Sequence, residues 1–214
     1  MFVRPWGTAS QVRRRREVRR LAGLALRLSG EGRSLGPVLW LFVLGLAALA
    51  GPAGERGWSL IAAMGLFAAL VCAALFDALY LILPTRLLVV AAGCSIVLLR
   101  QGDFETALAH ATAGLLSFGA LRLLAMGYEA LRGRPGLGGG DARLFGVAGL
   151  VLGFEGLPSC LLIAVASALT TLAIERRDAG LPRAEHAMPF GPHLALGLWL
   201  VFVFGPVDRI LSGG

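Results

Sequence analysis

The chain has 214 residues, of which 57% are hydrophobic, and its mean hydropathy is +0.75. These values exclude an ordinary soluble domain and indicate a polytopic membrane protein. The net charge is +7 and all 20 basic residues are arginine. They gather between apolar runs rather than along one basic face, so they read as orientation in a bilayer and not as a nucleic-acid surface.

In chain order, residues 1–36 form a basic arm. Arg13 to Arg16, Arg19 and Arg20 make a cluster, and Val18, Leu21, Ala25 and Leu28 recur at helical spacing. A short amphipathic helix on the membrane surface is expected there. Residues 37–214 are expected to form a transmembrane domain. Its apolar runs are 37–53, 58–76, 87–99, 107–126, 143–153, 157–174 and 189–206. The fold class is therefore an all-α transmembrane helix bundle of about six to seven spans. The run 87–99 is short for a span and can borrow 80–86; the run 143–153 is expected to be tilted or partly embedded.

With the N-terminal arm in the cytoplasm, alternation places the arginine-bearing connections 77–86, 127–142 and 175–188 inside, and the arginine-poor ones outside. That count brings two acids, Asp77 and Asp141, to the same side of the membrane at similar depth. Cys72, Cys94 and Cys160 lie in apolar runs without CxxC spacing and read as small buried residues. His110, His186 and His193 are scattered and read as structural or interfacial. No metal or other cofactor is expected.

Asp77 and Asp141 differ from the other acids in abutting apolar runs, where a carboxylate is costly unless solvated, paired or used. Taken singly, Asp141 is also a good N-cap for the helix that follows it, and Asp77 also reads as an interfacial acid. Taken together, they fit a dyad that shares one proton, activates water as a general base and protonates the leaving amine. Asp141 closes a glycine-rich loop. Gly138, Gly139 and Gly140 are expected to allow positive φ and the close approach of an extended substrate.

Three blocks carry a resemblance. Gly136 to Leu144 resembles the GxGD block of the type IV prepilin peptidases. Asp77, followed seven residues later by Pro84, is similar to that family's D-x6-P-N-x-L. Met188 to Gly197 looks like its PFGP-x-LALG segment. The resemblance implies an aspartic endopeptidase with Asp77 and Asp141 as catalytic residues. It would cleave a short basic leader from a prepilin or pseudopilin partner at the cytoplasmic face of the bacterial inner membrane. Pro84, Gly138, Gly140, Pro189, Gly191 and Pro192 would shape the cleft. Two positions depart from the pattern: Thr85 stands for Asn or Asp, and Arg143 for Lys, which keeps the charge but changes the donor geometry. The chain is expected to be a short form without the N-terminal cysteine module, so that N-methylation of the product is not expected. The alternative reading is a transporter or assembly subunit that uses the acids as a proton or cation site.

Overall fold

The computed structural model describes residues 57–99, 102–133, 138–179 and 189–208. The basic arm and the run 37–53 lie outside them. The described residues are all-α: α1 (Gly57–Tyr80), α2 (Thr85–Leu99), α3 (Phe104–Arg132), α4 (Gly139–Ala179) and α5 (Gly191–Phe204). Three stretches are long and apolar enough to cross a membrane: Leu60–Tyr80, Phe104–Arg132 and Gly139–Ala173. The chain is a multi-pass membrane protein.

Local chemistry sets the helix ends. Helix α1 stops where Leu81 takes a left-handed φ of 55°, a conformation that L residues rarely adopt. Pro84, which has no N–H, then precedes α2 and accepts from the amides of Leu87 and Leu88. The expected borrowing of 80–86 is therefore limited to Thr85 and Arg86. Helix α2 has 15 residues, about 22 Å at the helical rise. Helix α3 outruns the apolar stretch 107–126 at both ends. The Asp103 carboxylate accepts from the Thr106 amide at 3.1 Å, and Gly133, at φ 66°, closes the helix with a bond to the Glu129 carbonyl.

Helix α4 spans 41 residues but is interrupted at Gly153, with φ 64° and ψ −171°, a region that is essentially glycine's alone. The contacts show that the chain folds back there. Ser167 reaches His193 at 2.9 Å, and the Gly191 amide, two residues earlier, binds Asp77. Gly140, next to Asp141, in turn packs on Leu83 in the turn after Asp77. A straight helix would put Asp141 and Ser167 about 39 Å apart, so 139–152 and 154–179 are two antiparallel legs. The sequence reading of two runs, 143–153 and 157–174, describes this hairpin. His110 supports the bend: its Nδ1 lies 3.0 Å from the Leu150 carbonyl, whose helical partner the break removes.

Helix α3 lies antiparallel along the first leg. Ser117 donates to the Phe145 carbonyl at 3.0 Å, and a Cβ on Gly149 would come within 2.5 Å of the Ala113 carbonyl. Helix α5 lies antiparallel along the second leg, with Gly197 against the backbone of Cys160 and Ala164. Small residues at both seams let backbones approach, which is how apolar helices associate in lipid. Trp199 of α5 is fully buried at the centre, its ring 4.9 Å from that of Phe67 on α1.

Candidate active site

The three motif blocks converge at one end of the helices. Asp77 sits in the last turn of α1 and is 6% exposed. It is packed inside the protein. Its Oδ2 accepts from the Gly191 amide at 2.9 Å. Gly191 opens α5, so the carboxylate faces the positive end of a helix, where free N–H groups point outward. Any larger residue at that position would have to push the carboxylate aside, because a Cβ on Gly191 would stand 2.6 Å from Asp77 Oδ2. Pro192, at the start of α5, suits a position that has no intrahelical amide bond to lose. Pro189 lies just ahead of the helix and is half-buried.

Asp141 is the third residue of α4 and is 7% exposed. Its amide donates to the Gly138 carbonyl at 3.1 Å. The residue therefore lies inside the first turn and is not the N-cap. Its Oδ1 is buried and has no hydrogen-bond partner among the described residues. A buried carboxylate oxygen without a donor is costly, and it has room for chemistry only if a water or a substrate group meets it there.

The glycines act differently from the expectation. Among the described residues the positive-φ glycines are Gly133, Gly153 and Gly205, and neither Gly138, Gly139 nor Gly140 is one. Gly139 and Gly140 already belong to α4. What glycine provides at 140 is closeness: a Cβ there would come within 2.7 Å of the Leu83 Cβ. The GxGD segment thus packs onto the turn that follows Asp77, where Pro84 is half-buried. Gly138 sits against Asp141 itself, and Gly139 faces the Arg122 guanidinium. Arg143 is exposed and donates from Nη1 to Thr85 Oγ1 at 2.9 Å.

Sequence reasoning missed several of these partners. Leu83 carried no signal beyond its place before Pro84. Ser167, which pairs with His193, looked like any small residue in an apolar run. His110 and His193 make interhelical hydrogen bonds; His186 lies outside the described residues. Of the cysteines, Cys160 is buried and Cys94 partly so, but Cys72 is exposed on α1, against the expectation that all three are buried. A membrane-facing surface accepts an apolar thiol as readily as a core does. No group of three or more His, Cys, Asp or Glu side chains among the described residues could hold a metal ion.

A helical membrane protein with two buried carboxylates gathered at one end of its helices is the class this architecture defines. The comparisons narrow it: the chain belongs to the type IV leader peptidase family, which residues 64–173 match. A prepilin leader peptidase/N-methyltransferase of Burkholderia pseudomallei (strain 1026b) is 34% identical over 171 residues, covering 79% of this chain and 53% of the relative. The protein of the same name from Dickeya chrysanthemi is 32% identical over 170 residues, 77% of this chain and 56% of its own. That from Neisseria gonorrhoeae is 26% identical over 152 residues, 70% and 51%. The chain spans about half the length of these curated relatives. No solved structure matches it.

Proposed function

We propose that this protein is a membrane aspartic endopeptidase that removes the basic leader from a prepilin or pseudopilin. The observation that carries the reading is the meeting of the three blocks on one carboxylate pair. Gly191 of the third block holds Asp77 of the first, and Gly140, beside Asp141 in the second, packs on Leu83 in the turn that follows Asp77. Family membership and the names of the relatives supply the substrate class.

In this mechanism the two carboxylates hold one proton between them, because two neighbouring negative charges in a poorly solvated site repel. The ionised member takes a proton from water as the water attacks the scissile carbonyl. The protonated member hydrogen-bonds the carbonyl oxygen, and a proton then passes to the departing amine. Water is consumed, one peptide bond is broken, and the pair returns to its starting charge. Asp141 Oδ1 suits the second task, since no protein donor among the described residues is bonded to it. The arginine-rich connections near Asp77 and Asp141 support the reading that this end of the molecule faces the cytoplasm at the bacterial inner membrane, with the N-terminus on the same side. The proposal is confined to peptide cleavage; methyl transfer forms no part of it.

The test is cleavage of a purified prepilin in detergent, followed by its gel mobility. Asp77→Asn and Asp141→Asn, made separately, are each expected to lower kcat at least about a hundredfold. Full cleavage by either variant would falsify the proposal. Ion-coupled flux through proteoliposomes without leader processing would favour a transporter instead.

A further inference from the structure

The sequence departs from the family pattern at two positions within these blocks, and the structure brings those two side chains together. Thr85 opens α2, one residue past the Pro84 turn that follows Asp77. Arg143 lies two residues beyond Asp141. They are 58 positions apart in sequence and 2.9 Å apart at Nη1 and Oγ1. Both are exposed.

Helix stability does not explain Arg143. A cation just past the first turn of a helix still lies near the positive end of the dipole, and Thr85 begins a second helix whose positive end lies beside it. Among the described residues Arg143 makes no ion pair that would offset this. Its one hydrogen bond is to a neutral hydroxyl on the other acid-bearing segment. The lengths are also complementary. Thr is one bond shorter than Asn from the backbone to its acceptor oxygen, and Arg is one bond longer than Lys to its terminal nitrogen. What is lost at 85 is regained at 143.

We propose that Arg143 and Thr85 are a positioning pair: their hydrogen bond ties the start of α4 to the start of α2 and so sets the separation of Asp141 from Asp77. The pair rests on the peptidase reading and deepens it. It acts through the carboxylates, not on substrate, so its loss changes turnover and leaves substrate affinity in place. Displacement of a reacting group by about 1 Å costs up to about a hundredfold in rate.

The experiment is a double-mutant cycle in the same cleavage assay, with kcat and KM determined separately and the thermal midpoint of each protein recorded in detergent. Thr85→Val and Arg143→Lys break the bond from opposite ends, so misfolding of one leaves the other as a test. Each is expected to lower kcat by about tenfold to a hundredfold, with KM within about twofold. Thr85→Asn added to Arg143→Lys restores reach, and kcat should recover to within about threefold of wild type. Thr85→Val added to Arg143→Lys should be no worse than either alone. An unchanged kcat in Thr85→Val, or an Asn–Lys double variant no better than Arg143→Lys, overturns the pair. If wild type cleaves and Asp77→Asn does not, that failure belongs to this inference alone. If wild type leaves the leader intact, the peptidase reading fails and the pair falls with it.

Discussion

Helices α3 and α5 are both apolar, yet they occupy opposite situations. Ten of the 14 residues of α5 are buried, from Gly191 to Val201. Of the 29 residues of α3, only Ala113, Gly114, Ser117 and Ala125 are. Leu115, Leu123 and Leu131 of α3 are among the most exposed large side chains, at 72, 69 and 87%. In water that exposure would be unfavourable. In a bilayer it is neutral, because lipid tails are as apolar as leucine, and only close packing and polar bonds distinguish inside from outside. The ends of the two helices differ in the same way. Helix α3 carries its own signals, Asp103 and Gly133. Helix α5 has no side-chain cap; its first amide is used by a residue on another helix, Asp77.

The contrast can be broken at α5 or tested on α3. The largest effect is expected from Gly191→Ala, whose methyl group must displace the Asp77 carboxylate. Its kcat should fall about a hundredfold with a much smaller change in thermal midpoint, measured on the same purified protein. Leu198→Ala leaves a cavity in a fully buried part of α5 and should cost about 2 kcal/mol or more in reversible unfolding in mixed micelles. On α3, Leu123→Ala should change the same measurement by less than about 0.5 kcal/mol; a cost equal to that of Leu198→Ala would show that the exposed face is covered by something other than lipid. Gly127 of α3 has open space around the position of a Cβ, so Gly127→Ala should be neutral or stabilising by up to about 1 kcal/mol.

The smallest effect belongs to Asp103→Ala, which removes an exposed cap. The hydroxyl and amide of Thr106 hold the Asp103 carboxyl below its ordinary range. A depressed folded-state value means that the cap stabilises fully above the unfolded-state pKa and loses its contribution as pH falls through the lowered one. The melting curves of wild type and variant should therefore differ slightly at neutral pH and converge in acid.

Much of the site was legible before the fold. Asp77 and Asp141 stand out because an acid against an apolar run is rarely accidental, and arginine counting put them on one side. Gly191 was picked out too, but not its reason, which is a distance to a side chain 114 residues away. The glycines 138–140 were credited with backbone freedom when Gly140 instead supplies closeness to Leu83. Thr85 and Arg143 each registered as an oddity and became intelligible only as neighbours.

Hydropathy and charge placement are properties of short stretches, so they were enough to read the chain as helical and membrane-bound and to mark which acids are out of place, whereas the ends of α3 lay beyond the apolar run 107–126 that marked it. The partner of each helix is another matter. Nearly every span is equally greasy, so periodicity cannot mark a buried face, and the choice falls to whichever small residues let two backbones touch. That α5 is enclosed, that α4 doubles back at Gly153 and that Gly191 closes on Asp77 emerge only once the helices are packed together.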